Sequence, residues 1–553
     1  MERGTGTPLP YCSVAVKHST IGTIANGEGV FRLTRTNEED TLMFSYIGYR
    51  AAEVAVRDIQ GELVVALEKY NYELRQVEVF NDNEALYDLV LAAGEHLRSA
   101  TEHRSKVFFD LSTEVDSQQV EVVESYYNGR FEGPALKELT LKNGRIGVAP
   151  LGGQYFLNLN TTAAFASLDI RAKNPNFPTT PFALNKKQLF RTYDLQVVGM
   201  HSDGTNIYHL VFEPRSGVTG TFSGELWADG SGKRIDRITL SCSACTPQPF
   251  RPVQAGPSIE KVDMRYSIFF RQDAGGDRLA HIELTYDLSY RMGDQQTRKL
   301  HTVAILRPYD LGEPFFEPIF DTPYDRSDHC QITFLPYDSV FWSLNQGLVR
   351  TDRQEAALRF FADHGALVGH KDRSFTDVDD LLFDGLYTVW SSTSRITRST
   401  IVRSEPPSPI QGNTLAENAT QARSTKVDIE ATIYLDAYEG PGGYSVRSAT
   451  ILDVFGSRYD LPMESGTNAF LNIWFDLCEI ERRRMERDLG SGTLTEEKVR
   501  TAHAETMERI ERTTLRFEKE TSMGKNVEAM QSWNELVLRE LGLNNLALFP
   551  MLD

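Results

Sequence analysis

The stretch Ile282-Glu-Leu-Thr-Tyr-Asp-Leu-Ser-Tyr290 alternates apolar and polar residues at every step. Val262, Met264, Tyr266 and Ile268 alternate in the same way just upstream. Successive side chains of a strand point to opposite faces, so a period of two demands a sheet with one packed and one wet face. A large antiparallel sheet satisfies that demand. Further strands are expected at Val120–Tyr127, Leu136–Leu141, Ile207–Phe212, Thr221–Trp227 and Arg234–Leu240, and the sheet domain is assigned to residues 106–310. Trp227-Ala-Asp-Gly-Ser-Gly-Lys-Arg-Ile235 sets a glycine-rich turn between two such runs and reads as a hairpin.

A second β region opens the chain. Asn26-Gly27 and Gly29 supply residues that tolerate positive φ, so Ile24 and Phe31 can flank a tight turn. Thr41–Ile47 is apolar and aromatic, as a half-buried strand should be, and Gly48 breaks it. Shorter strands are expected at Ser13–Lys17 and Leu63–Leu67, with an edge strand or exit linker at Val77–Phe80. Several short strands without a helical pattern between them predict a small β-sandwich over residues 1–80.

The residues Pro8-Leu-Pro-Tyr11, Thr20-Ile-Gly-Thr-Ile-Ala-Asn-Gly-Glu-Gly-Val-Phe31 and Asp40-Thr-Leu-Met-Phe-Ser-Tyr-Ile-Gly-Tyr49 resemble the carboxypeptidase-regulatory-like domain, a transthyretin-type sandwich. The resemblance covers about one-seventh of the chain and names a module rather than a reaction. It implies a protein of the Bacteroidetes envelope type, in the periplasm or at the outer membrane, because such domains precede envelope proteins there. The central run Phe222-Ser-Gly-Glu-Leu-Trp-Ala-Asp-Gly-Ser-Gly-Lys-Arg-Ile-Asp-Arg-Ile-Thr-Leu240 is similar in pattern to the half-barrels of lipoprotein carriers. The strand that opens the regulatory-like domain is missing or reduced, and Met1-Glu-Arg-Gly-Thr-Gly is too polar for a signal peptide. One reading is an N-terminally truncated sequence, with the export signal and first strand both lost.

Between and after the β regions the period changes. Leu86, Leu89, Val90, Ala93 and Leu97 share one helical face, with Asn83 as N-cap, which assigns a connecting helix within residues 81–105. Residues 311–430 read as a Pro- and aromatic-rich arm, a helix and a polar linker. The boundary is drawn at Pro308–Tyr337, the helix at Thr351–His364 with Ala356, Ala357, Phe360 and Phe361 inward, and the linker at Ser391–Lys426. Residues 431–553 are assigned to a helical region, with apolar stripes at Phe470, Ile473, Trp474, Leu477 and at Met530, Trp533, Val537, Leu541. The fold class is therefore mainly β with α.

At 553 residues the chain is ample for three or four domains. Its net charge of −19 argues against nucleic-acid and anionic-membrane partners, which require clustered Lys and Arg. No run of about eighteen apolar residues predicts a transmembrane helix. The cysteines at 12, 242, 245, 330 and 478 are too few and too scattered for a disulfide framework.

Candidate chemistry is sparse. Cys242-Ser-Ala-Cys245 is a formal dithiol motif. A redox pair needs a helix N-terminus after a strand, and Pro247 and Pro249 deny it. A zinc site needs a second ligand pair at suitable spacing. A local disulfide or two free thiols remain. No His-x-x-Glu or His-Glu-x-x-His occurs, so zinc-peptidase chemistry lacks its ligands. No Gly-x-Ser-x-Gly elbow occurs either. Gly230-Ser-Gly-Lys233 reads as a turn rather than a phosphate loop, and Asp476, Glu479 and Arg482–Arg484 as a solvated, ion-paired helix face. Of Tyr126 and Tyr127, at most one should be buried, because neighbours on a strand face opposite ways.

These observations predict a non-catalytic envelope binding or scaffold protein, with no cofactor and an outer-membrane or periplasmic protein as partner. The alternative is a lipid or lipoprotein carrier, with Val262, Met264, Tyr266, Leu284 and Tyr286 lining an unfilled concave sheet face. A third reading is a hydrolase whose residues come from separate strands.

Overall fold

The computed structural model describes residues 1–549 except 71–82, 253–257, 292–295, 321–327, 334–338, 370–386, 402–426 and breaks of one to three residues. The chain divides into two compact units, Met1–Phe315 with Ser327–Lys371, and Phe316–Arg326 with Asp372–Asp553. The expected strand at Val77–Phe80 and most of the polar linker lie outside the described residues.

The first unit opens with β1 (Ser13–Val16), β2 (Gly22–Ile24), β3 (Thr41–Ser45) and β4 (Ala52–Ala55), antiparallel in the order β2-β1-β3-β4. Leu42 and Phe44 of β3 point into a core with Leu9, Val14, Val16 and Leu67. The turn after β2 is held by Asn26, whose Oδ1 accepts from the backbone N–H groups of Glu28 and Val30, both at 2.9 Å. Gly29 adopts φ +76°, the left-handed region that the sequence pattern demanded. The strand expected at Leu63–Leu67 is reduced to isolated bridges, Leu67 with Glu2 and Lys69 with Tyr49. Its partner is the chain's first residues rather than a neighbouring strand.

Helix α1 (Asn83–Ser99) buries the predicted face and leads into the large sheet. Its strands are β5 (Glu102–Val115), β6 (Gln118–Glu132), β7 (Ala135–Val148), β8 (Tyr193–Ser202), β9 (Asn206–Pro214), β10 (Ser223–Asp229), β11 (Ile235–Cys242), β12 (Ser258–Asp273), β13 (Gly276–Arg291), β14 (Thr297–Leu311) and β15 (Ala366–Val368). They form one eleven-stranded sheet, β8-β9-β10-β11-β12-β13-β14-β5-β6-β7-β15, in which every neighbouring pair is antiparallel. Pro308, taken above as the start of a boundary, lies inside β14 opposite Val107. Gly230–Lys233 is a hairpin turn, with Asp229 Oδ1 accepting from the N–H groups of Lys233 and Arg234 at 2.9 and 3.1 Å.

The wet face predicted for this sheet is covered where β5, β6 and β7 meet. Tyr126 and Tyr127 are both buried, at 1% and 3% exposure. The reason is a helix on each side. Helices α2 (Thr161–Ser167) and α4 (Asp328–Thr333) cover the Phe109 and Tyr127 face, and α5 (Ser339–Leu344) and α6 (Asp352–His364) cover the Tyr126 face, while the short α3 (Lys186–Thr192) leads into β8. Two glycines of β7 allow the approach. A Cβ on Gly144 would lie 2.5 Å from Ile332 Cγ1 of α4, and one on Gly147 would lie 2.5 Å from Phe361 Cδ2 of α6. In α6 the buried residues are Ala357, Leu358 and Phe361, while Ala356 and Phe360 face out. The face is rotated from the predicted one because Leu358 takes the inward position.

The second unit has a three-stranded sheet, β16 (Tyr387–Val389), β17 (Val427–Gly440) and β18 (Gly443–Tyr459), in the order β16-β18-β17. The hairpin of β17 and β18 corrects the all-helical assignment of residues 431–553. Ile433, Leu435 and Ala437 alternate along β17 and are fully buried, which is a strand pattern. Three long helices follow, α7 (Thr467–Leu489), α8 (Glu496–Thr521) and α9 (Val527–Leu541). Phe470 of α7 stacks on Phe517 of α8 at 5.0 Å, and Phe517 meets Trp533 of α9 edge-on at 5.6 Å. Gly542 ends α9 with φ +74°.

Candidate functional site

The charged centre of the first unit is a row of residues directly opposite one another across the sheet. Thr239 of β11, Ser267 of β12, Glu283 of β13, Ile305 of β14, Asp110 of β5, Glu124 of β6 and Arg145 of β7 form it in register. Two residues along each strand, hence on the same face, a second row runs Arg237, Phe269, His281, Arg307, Phe108, Tyr126 and Asn143. The N-terminal module sits against this face. Arg307 Nη1 donates to Gly22 O at 2.9 Å, and Asn26 Nδ2 donates to Val349 O at 3.0 Å beside it. Burial, then the charges of Asp110 and Glu283, push the Tyr11 hydroxyl upward, and burial and Glu283 do the same at Tyr46.

Asp110 and Glu124 are two buried carboxyls on adjacent strands, at 9% and 2% exposure. Their surroundings are unequal. Arg350 donates to Glu124 from Nη2 at 2.7 Å and from Nε at 3.1 Å, and Arg145 Nε donates to the same Oε2. Arg145 in turn lies over the Trp342 ring at 3.9 Å, and Trp342 Nε1 donates to Asn143 Oδ1 at 2.9 Å. Burial alone would raise the Glu124 carboxyl, but Arg145 and Arg350 overcome it and hold it down at about 2. Asp110 has no such pair of cations in contact. Burial first and the Glu124 charge second push its carboxyl up to about 7, against the weaker pull of Arg350 and a hydrogen bond from Gln354. Gln354 is itself held in the capping box of α6, with its Oε1 accepting from Thr351 N–H at 2.9 Å. The arrangement is one ionised and one proton-holding carboxyl side by side. Chemically it can store a proton near neutrality beneath the N-terminal module.

Sequence reasoning missed this site. The signal for it is a lone acid inside an apolar strand run, Phe108-Phe109-Asp110-Leu111 and Val122-Val123-Glu124-Ser125. An acid placed there must be paired or protonated. The same signal was present in α7, where the predicted solvated face is in part buried. Asp476 is 0% and Glu479 2% exposed. Asp476 accepts from Trp390 Nε1 at 2.7 Å, Arg395 Nη2 at 2.6 Å and Asn545 Nδ2 at 2.6 Å. Glu479 accepts from Arg482 at 2.7 Å, Arg483 at 2.8 Å and Thr450 Oγ1 at 2.7 Å.

The residues singled out from sequence lie on the other face of the large sheet. Val262, Met264, Tyr266, Leu284 and Tyr286 share that face, and each is 3% exposed or less. Among the described residues, side chains pack on Tyr266 and Tyr286, while Val262 also lines a cavity of about 370 Å³ with Pro175, Asn176, Cys245, Pro247 and Ile259. Phe165 of α2 packs on Tyr266 at 5.9 Å, Phe250 packs on Tyr286 at 4.3 Å, and Thr161 Oγ1 and Tyr286 Oη are 3.0 Å apart. Cys242 and Cys245 form a disulfide with Cα atoms 5.5 Å apart, and Cys245 N–H donates to Val262 O at 2.7 Å. Cys12 and Cys478 are buried free thiols, pushed up by burial, Cys12 to about 11. Among the described residues, no group of three or more His, Cys, Asp or Glu is placed to hold a metal ion. None of the described helices is long and apolar enough to cross a membrane.

A comparison with curated proteins returns no match. Among solved structures, a DUF1329 family protein from Desulfovibrio piger is similar over 42% of this chain and 94% of its own, at 12% identity and a TM-score of 0.18. A LolA superfamily protein from Nitrosomonas europaea covers 40% of this chain and 90% of its own, at 13% identity and a TM-score of 0.17. MucB, solved in complex with MucA, covers 41% and 99%, at 11% identity and a TM-score of 0.14. Scores this low carry no inference about function. Residues 1–79 match the CarboxypepD_reg-like domain, so the module packed on the charged face is a carboxypeptidase-regulatory-like segment.

Proposed function

We propose that this chain is a non-catalytic binding or scaffold protein of the cell envelope, in which the large sheet is a solid platform for the regulatory-like module. The observation that carries the reading is the filling of the sheet's apolar face by Phe165 and Phe250. A lipid carrier needs an apolar pocket of about 300–1,000 Å³, and the cavity of about 370 Å³ beside Val262 is instead lined largely by polar groups, among them Gln248, Arg251, Glu260 and Lys261. The Cys242–Cys245 disulfide supports a location outside the cytosol, in the periplasm or at the outer membrane, since cytosolic thiols are kept reduced. The partner is then an envelope protein.

Native mass spectrometry of the protein gently extracted from its own envelope tests this. A co-purifying envelope protein is the expected result. A bound acyl chain would overturn the reading in favour of the carrier. A bare monomer with neither would count against both and bring the hydrolase forward.

A further inference from the structure

Where the N-terminal module meets the large sheet, a buried guanidinium is short of partners. Arg307 of β14 is only 7% exposed. Its Nη1 donates to Gly22 O of β2 at 2.9 Å, and its guanidinium lies over the Tyr309 ring at 4.9 Å. Its Nε–H is buried without a hydrogen-bond partner among the described residues, and no hydrogen bond or ion pair engages Nη2 there. The carboxylate that acts on it, Asp310, lies beyond ion-pair distance and is itself gripped by Lys106, Nζ to Oδ2 at 3.2 Å. Burial therefore prevails and pushes Arg307 below the ordinary guanidinium value, against the pull of Tyr309, Tyr126 and Asp310. An arginine does not answer burial by releasing its proton, so the charge calls for a counter-ion.

The space for one is present. Arg307 lines a cavity of about 20 Å³ together with Gly22 and Ile24 of the module and Arg271, Ala280 and Tyr309 of the sheet. One water needs about 10–15 Å³ of such space, so the cavity admits one particle of about that size. A water fills it but leaves the charge uncompensated, whereas a monatomic anion of similar size does both. The walls suit an anion. Arg271 of β12 adds a second positive charge. Strand β2 is the edge of its own sheet, so its outward backbone groups have no neighbouring strand, and Gly22 O is already turned to Arg307. N–H groups on that edge are further donors. We propose that this cavity binds a single monatomic anion, a halide such as chloride, which neutralises Arg307 and fastens the edge of the N-terminal module to the large sheet. The site goes beyond the partner-binding reading above and does not depend on it.

The test is hydrogen exchange of the full chain in sodium chloride and in sodium gluconate at matched ionic strength, read at the β1 and β2 amides. Gluconate is too large for a cavity of this size. In chloride these amides should exchange more slowly, and beyond saturation each tenfold rise in chloride should multiply their protection about tenfold, as for one ion lost on opening. Bromide should replace chloride. Arg307→Gln removes the charge and should exchange alike in the two salts. If that variant fails to fold, crystals of the parent grown in bromide decide the matter, with an anomalous-scattering peak expected within hydrogen-bond distance of Arg307. Absence of that peak would overturn the proposal. So would equal exchange of the parent in chloride and gluconate, even with a bromide peak, which would then mark an adventitious ion only. A chloride effect that survives Arg307→Gln would also overturn it, because the ion then binds elsewhere.

Discussion

Asp110→Asn should remove a pH dependence that the folded chain owes to one buried proton. The Asp110 carboxyl is held at about 7 in the fold, against an ordinary value of 3.8. Between those values the folded state binds a proton that the unfolded state has released, so stability falls as pH rises. At about 1.4 kcal/mol per pH unit, the loss across the window is about 4 kcal/mol. Below it both states are protonated and nothing is lost; above it the fold carries a charged carboxylate against Glu124. Asparagine keeps the shape and cannot ionise. The variant should therefore match the parent near pH 4 and exceed it by about 4 kcal/mol at pH 8. Glu124 does not interfere, because its carboxyl is lowered from 4.5 to about 2 and its contribution is lost only as pH falls through that range. Hydrogen exchange of the β5 and β6 amides reads the difference locally, which matters in a chain of two units. If parent and variant differ by the same amount from pH 5 to 8, Asp110 is ionised throughout and the account of the site is wrong.

Two further substitutions test the packing around the sheet. Glu124→Gln leaves the half-buried Arg145 and Arg350 without their shared carboxylate, Arg350 keeping only Glu355, and should cost about 1–3 kcal/mol, seen as a lower unfolding midpoint of the first unit. Phe165→Ala removes the ring against Tyr266 and Phe109 and should cost about 3–5 kcal/mol. If that variant instead takes up a fluorescent fatty acid while keeping its stability, the apolar face is a lipid site and the scaffold reading fails.

The regulatory-like module shows how its structure can matter to the rest of the chain. Among its polar contacts in the described residues, Gly22 O accepts from Arg307 of the charged face and Asn26 donates to Val349 O between α5 and α6. The proton on Asp110 lies beneath the same surface. The charge of Asp110 acts on the Tyr11 hydroxyl of the module, after burial the largest cause that raises it.

Much of the architecture was legible because it rests on local periodicity. The alternation at 262–268 and 282–290 gave strands β12 and β13, and the 3.6-residue stripes at Leu86–Leu97 and Phe470–Leu477 gave α1 and α7. The turn at Asn26–Gly29 was legible because backbone with positive φ needs particular residues. The hairpin Val427–Tyr459 was equally legible in the alternation of Ile433, Leu435 and Ala437, and was overlooked for the helices beside it. What covers each face of a sheet is a different matter. Periodicity states that Tyr126 and Tyr127 point opposite ways, but only the arrival of α5 on one side and α2 and α4 on the other buries both. The same holds for the charges. Asp110 and Glu124 are fourteen positions apart in the chain, and Arg350 is 226 positions from Glu124. Their pairing, and the proton it leaves on Asp110, exists only once strand register and helix packing have brought them together, because electrostatic coupling depends on distance and burial rather than on sequence order.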